Sequence, residues 1–123
     1  FTASLRQNIF LCMALCHTAI VSKHKVGMSS KFISESEDEI ALLTFAKSIG
    51  FRFSKKENNT VELKIYGETL NFQVLAILPF DPVRKMMSVI VQGQDGAALV
   101  FTKGADSSVL KCCNLSAQKK EKI

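Results

Sequence analysis

Apolar residues return along this chain in two different rhythms, and the change between them falls at Gly50. Ahead of it, Leu42, Phe45, Ala46 and Ile49 recur every three or four positions, which places side chains on one face of an α-helix. Ser36 followed by Glu39 has the form of a capping box, with Glu37 and Asp38 in the first turn, Lys47 in the last and Gly50 as a left-handed stop. Residues 4–18 carry Leu5, Ile9, Cys12, Met13 and Cys16 at the same spacing and predict another helix.

From Phe51 onward the period becomes two. Val61, Leu63 and Ile65 alternate with Glu62, Lys64 and Tyr66, and Gly67-Glu68 offers a turn into a further strand over residues 70–78. Residues 87–91 and 97–102 flank Gly93-Gln94-Asp95-Gly96 as a second hairpin, and Pro79 and Pro82 bracket the break before it. Residues 107–113 predict a short closing helix with Asp106 as its N-cap. Strands linked by hairpins, rather than strands alternating with helices, predict an α+β fold in which helices pack against a twisted antiparallel sheet. The strands over 70–78 and 87–91 are expected to be core.

Composition narrows the class without naming a chemistry. With 47% hydrophobic residues in 123, the chain can build one core of ordinary size, so residues 1–123 are read as a single domain ending in a polar tail over 117–123. A charge of +5 leaves an anionic ligand open and falls short of a nucleic-acid signature. The longest apolar run, residues 9–16, is far below the ~20 residues that span a bilayer, so no direct membrane insertion is expected. Opening on Phe1 rather than Met, the chain is expected to be a fragment of something longer. Cys12, Cys16, Cys112 and Cys113 suit a reducing compartment and read as thiols packed like small hydrophobes; a metal site drawing on them and His17 is the sharper alternative, without the usual CxxC spacing.

Residues 80–89 join an aromatic, two cations and two thioethers at the mouth of a strand. Phe80 can stack on a purine, Arg84 or Lys85 can neutralise phosphate, and Met86 and Met87 can line an adaptable apolar slot. Thr102-Lys103-Gly104-Ala105-Asp106 sets a lysine at a strand end, a glycine that permits close approach and a helix start. Neither GxxxxGK[ST] nor GxGxxG occurs. Glu39 can accept a hydrogen bond from a purine amino group, although capping explains the acidic cluster around it more simply. His17 and His24 assemble into no nucleophile, base and acid set, so no catalytic residue is assigned.

Four separated stretches together resemble the nucleotide-binding (N) domain of P-type ATPases, most closely the phospholipid-translocating flippases. Leu15-Cys16-His17-Thr18 resembles their LCHT; Ser36-Glu37-Asp38-Glu39-Ile40-Ala41-Leu42 resembles SPDEAAL. Residues 80–91 resemble FxSxRKRMSVIV, and Lys103-Gly104-Ala105-Asp106 matches KGAD. The resemblance implies that Phe80 stacks on adenine, Glu39 meets the adenine edge, Lys85 and Lys103 line the ATP pocket, and Gly104 lets the nucleotide pack closely. Met87 and Ser88 would shape the same wall, and Arg84 would reach a phosphate or a nearby carboxylate. It further implies Mg-ATP as ligand with Mg held mainly outside this domain, and a cytosolic domain of an integral membrane protein. Its partners would be other cytosolic domains of that parent, with no nucleic acid and a monomer in isolation.

In the resembled mechanism the domain presents ATP for phosphoryl transfer to an aspartate elsewhere in the parent, which drives phospholipid translocation. The fragment carries no DKTGT and should not turn over ATP by itself. Departures from the pattern are Glu37 for the proline of SPDE, Asp81-Pro82-Val83 for small polar residues, Met86 for a second basic residue and Thr102 for a cysteine. Of these, Glu37 and Met86 give weight to the alternative of a degenerate nucleotide domain kept as a scaffold or regulatory module. The loop near residues 22–30 falls where the resembled flippases vary in length.

Overall fold

A computed structural model describes residues 4–22 and 31–113, so the 117–123 tail, His24 and most of the 22–30 loop lie outside the described residues. Helix α1 spans Leu5–Leu15; strands β1 (Ile20–Val21) and β2 (Phe32–Ile33) form a small antiparallel pair. Helix α2 (Glu37–Ser48) leads into β3 (Phe51–Glu57), β4 (Thr60–Ile65), β5 (Glu68–Leu78), β6 (Met86–Gln92) and β7 (Ala98–Gly104), and α3 (Asp106–Cys112) follows. The five long strands make one antiparallel sheet in the order β3-β4-β5-β6-β7. The architecture is α+β, as the pattern of helices and hairpins predicts.

Local chemistry sets the turns. The β3–β4 turn uses Asn58 and Asn59, both at positive φ, and the β4–β5 turn uses Tyr66 and Gly67, the pairing of left-handed residues that tight hairpins require. The second turn therefore sits one residue before the expected Gly67-Glu68. Gly50 ends α2 at φ +99°, and a Cβ there would lie 2.6 Å from the Tyr66 ring, so conformation and packing both demand glycine.

One sheet face carries the core. Phe51, Phe53, Leu63, Ile65, Leu70, Phe72, Val89 and Val91 are buried on it, and α1 and α2 cover it through Leu11, Ala14, Leu15, Leu43 and Ala46. Phe10 joins the layers, its ring 5.6 Å from Phe51 and 6.4 Å from Phe45. The helical stripes differ in phase from expectation. In α2 the buried positions are Glu39, Leu43 and Ala46, with Phe45 half exposed; in α1, Ile9 faces out while Leu11 and Ala14 face in. A helix with two apolar neighbours per turn offers two candidate stripes, and the contact to β3 selects one.

Three further expectations are corrected. Helix α1 stops at Leu15 because the His17 ring bonds the Ala14 carbonyl and the Ala19 N–H, taking the chain out of the helix. Asp106 is the first residue of α3, and Ala105, which has no capping side chain, precedes it. The strand over 70–78 is core only in its first half: a register shift between Val74 and Ala76 rotates the rest, leaving Leu75, Ile77 and Leu78 exposed.

Candidate functional site

Register brings the four motif stretches together at one end of the sheet. Met87 lies opposite Lys103 and Met86 opposite Gly104, so the RK-x-MS and KGAD segments are neighbours on β6 and β7. Strand alternation then sends Lys103 and Met87 to the face covered by the helices, and Ser88 and Thr102 to the opposite, open face, where Ser88 is itself buried beneath Arg84.

Glu39 ties the helical face. Its carboxylate accepts the Thr18 N–H at 2.9 Å and the Thr18 hydroxyl at 3.1 Å, and it meets Lys103 Nζ at 3.8 Å. The Ser34 hydroxyl approaches at 3.5 Å. The expected capping box is thus half formed: Ser36 Oγ accepts the Glu39 N–H at 3.4 Å, but the Glu39 side chain turns inward, and the Ser36 N–H goes to Ser34 Oγ. At 8% exposure, Glu39 is a buried charge answered by a cation and by fixed donors.

His17 holds the Thr18 loop from behind. Its Nδ1 accepts the Ala19 N–H at 3.1 Å, which leaves Nε2 as the donor to the Ala14 carbonyl at 2.8 Å in the neutral ring. The ring lies 4.5 Å from Phe53, and burial pushes its pKa down to about 4. With both ring nitrogens engaged, His17 has no lone pair for a metal. Among the described residues no group of three His, Cys, Asp or Glu side chains is placed to hold a metal ion.

On the open face, Arg84 closes the loop between β5 and β6. Its guanidinium donates to the carbonyls of Met86 at 2.8 Å and Leu78 at 3.2 Å, to Ser88 Oγ at 3.1 Å, and sits 3.5 Å from the Asp81 carboxylate. The Ser88 and Thr102 hydroxyls share a 2.8 Å hydrogen bond, extending the network to β7. Asp81 in turn accepts the N–H groups of Arg84 and Val83, and the Arg84 N–H in particular holds its carboxyl below the usual range. Arg84 is therefore committed to shaping the loop.

That loop presents Phe80 with 61% of its surface exposed, beside a shallow notch of about 380 Å³ lined by Leu78, Pro79, Phe80, Asp81 and Arg84. Lys85 follows at φ +55°, with its N–H on the Asp81 carbonyl and its own carbonyl accepting the Ala105 N–H. Gly104 packs against that same turn: a Cβ on it would collide with the Lys85 carbonyl oxygen and come within 2.8 Å of Met86 Cα. In this structure the glycine admits the chain's own backbone.

Two groups of the expected residues are thus assembled. Glu39, Met87 and Lys103 stand on the helical face, and Phe80, Arg84 and Ser88 on the loop and open face, with Lys85 and Gly104 at the strand ends between them. Among the described residues no hydrogen bond, ion pair or ring contact joins Phe80 to Glu39 or Lys103. Thr18 and Thr102 are members that sequence reasoning passed over as binding partners; their signal was position, inside LCHT and immediately before KGAD.

Comparison with known proteins gives a family. The model described as P-type ATPase, cytoplasmic domain N, matches residues 6–123. The chain is 36% identical over 105 residues to phospholipid-transporting ATPase IK of Mus musculus, covering 85% of this chain and 8% of that protein. It is 36% identical over 111 residues to phospholipid-transporting ATPase ID of Homo sapiens, covering 90% and 9%. With phospholipid-transporting ATPase DNF1 of Chaetomium thermophilum it shares 37% identity over 105 residues, covering 84% and 7%. The chain spans less than a tenth of the length of each of these relatives.

Proposed function

Since the chain belongs to the family of P-type ATPase cytoplasmic N domains, we propose that residues 1–123 form one nucleotide-binding unit that holds the adenine end of ATP. Phe80 stacks on the base, Glu39 meets its amino edge, and Lys85 and Lys103 carry the positive charge that the phosphates need. Met87 and Ser88 shape the wall. Arg84 contributes by fixing the loop that displays Phe80, and Gly104 by letting that loop pack against β7. The observation that carries this reading is Phe80 itself: a large aromatic ring 61% exposed on a loop that six side-chain hydrogen bonds and an ion pair hold in shape.

The names of the relatives extend the reading to the parent protein, a phospholipid-transporting P-type ATPase with this domain on its cytosolic side. There the ATP presented here, as its Mg complex, gives its γ-phosphoryl group to an aspartate of another domain: the aspartate oxygen forms a bond to phosphorus and ADP departs with the bridging oxygen. The chain contributes binding and orientation to that step. Lys103 leaves Glu39 for phosphate when nucleotide arrives, and Thr18 keeps the freed carboxylate in place.

An NMR titration with ATP and GTP tests the assignment, run on the wild-type chain, Phe80→Ala and Lys103→Ala. Saturable binding that prefers ATP, with shifts at residues 80–88 and 103–104, and that either substitution removes, is the expected result. Absence of binding at millimolar nucleotide overturns it in favour of a scaffold or regulatory module. The commitment of Arg84 and Glu39 to internal bonds is the observation that favours that second reading.

A further inference from the structure

The notch beside Phe80 holds one acidic side chain, and its two carboxylate oxygens are used unequally. Asp81 Oδ1 accepts the N–H groups of Val83 at 3.0 Å and Arg84 at 2.6 Å, which fills its lone pairs. Among the described residues Oδ2 meets only Arg84 Nε, at 3.5 Å, longer than a good hydrogen bond. The side chain is 49% exposed and lines the notch together with Phe80. Spare acceptor capacity thus stands next to an exposed aromatic ring.

That oxygen is also held in place. The Asp81 carbonyl accepts the Lys85 N–H at 2.7 Å, the two bonds to Oδ1 orient the carboxylate, and Pro82 restricts the backbone immediately after it. An acceptor fixed before its ligand arrives loses little freedom on binding. The Arg84 N–H holds the Asp81 carboxyl below its ordinary range, so it is ionised at neutral pH. Glu39 differs: at 8% exposure, its carboxylate already accepts twice from Thr18 and faces Lys103.

We propose that Asp81 is a specificity-determining residue of the nucleotide site, with Oδ2 accepting a hydrogen bond from the exocyclic amino group of the base stacked on Phe80. Resting on the nucleotide function proposed for this domain, it adds a second acceptor, beside Glu39, for a group that carries two N–H donors. A base with an amino group at this edge, as in adenine, satisfies the carboxylate. A base with a keto oxygen there, as in guanine or hypoxanthine, sets an acceptor against a negatively charged acceptor, and both lose water without gaining a partner. Selectivity then comes from rejection as much as from attraction. Arg84 does not reverse this preference, because its guanidinium already donates to the Leu78 and Met86 carbonyls and to Ser88. The small polar residues of the resembled pattern would bring no such charge to the notch.

Titrations of the 123-residue chain with ATP and with ITP, in which an oxygen replaces the 6-amino group, test the assignment. The wild-type chain should bind ATP about tenfold more tightly than ITP. In Asp81→Asn the side-chain oxygen keeps the Val83 and Arg84 N–H groups while an NH2 group replaces Oδ2, so the preference should vanish or reverse, with amide exchange over residues 80–85 unchanged. In the wild-type chain the carbon-13 resonance of the Asp81 carboxyl should move further at saturation with ATP than with ITP, a readout that decides the matter even if the substitution loosens the loop. Equal binding of ATP and ITP by the wild-type chain overturns the proposal, as does an Asp81→Asn chain that keeps the ATP preference on an intact loop; either result leaves the nucleotide site standing. Absence of binding by both nucleotides overturns the nucleotide function itself, and the role of Asp81 with it.

Discussion

Glu39 and Thr18 are 21 residues apart, yet the carboxylate of one accepts both the backbone N–H and the hydroxyl of the other, at 2.9 and 3.1 Å. Lys103 completes the arrangement from β7 at 3.8 Å. A loop, a helix start and a strand end are fastened by a single side chain, and removing it leaves the remaining donors without an acceptor.

Glu39→Ala should therefore cost roughly 2–4 kcal/mol of stability, because it strands the Thr18 donors and a partly buried lysine. Glu39→Gln keeps an acceptor for Thr18 and should lose less than half as much. Urea unfolding with constant m-values separates the two; equal losses would show that the ion pair to Lys103 dominates.

Acid should weaken the domain through His17. The unfolded ring takes up a proton near 6.5 whereas the buried ring resists until about 4. The unfolded state thus binds more protons in this interval, so the contribution is complete above pH 6.5 and is lost as pH falls toward 4. The gap between these values corresponds to about 3 kcal/mol. Unfolding midpoints measured across that range should fall for the wild-type chain and stay flatter for His17→Asn. Asp81, held below the ordinary 3.8, contributes only in still stronger acid.

Gly104→Ala should destabilise by about 2 kcal/mol, since a methyl group would meet the Lys85 and Met86 backbone as well as the Met86 side chain, and backbone cannot swing aside. Thermal unfolding measures the loss. In nucleotide titrations the same variant should bind more weakly because the 79–85 loop is displaced. Unchanged stability would mean that the loop yields freely.

Arg84→Lys should keep the charge and lose the loop. One ammonium cannot serve the Met86 and Leu78 carbonyls, Ser88 and Asp81 together, so amide exchange over residues 80–85 should quicken about tenfold or more. If Arg84 served phosphate alone, exchange in the absence of nucleotide would not change.

Much of the frame was legible because period two and period 3.6 are local signals: the sheet strands, α2 and its Gly50 stop follow from neighbours in sequence. Phase was less so. Leu42 and Leu43 are adjacent and equally apolar, and only packing against β3 buries Leu43. The irregularity between Val74 and Ala76 has no residue signature, yet it sends Leu75 and Leu78 outward. At the site, the motif residues could be read as a group, but the turning of Glu39 toward Thr18 is a long-range choice that a capping box in the sequence conceals. Gly104 was legible as a place of close approach, and what approaches it in the structure is Lys85.

The sheet order follows the chain order from β3 to β7, so each strand zips onto the one made just before it. Such a meander has low contact order and closes through short loops. The helices depart from this pattern: Cys12 of α1 reaches Thr102 across 90 residues of sequence, and Glu39 of α2 reaches Lys103. On a ribosome adding about 5–20 residues each second, α1 meets α2 and β3 first, through Phe10 against Phe45 and Phe51, and β7 only later. The seam between Cys12 and Thr102 is therefore the latest of the contacts of α1 that synthesis can complete.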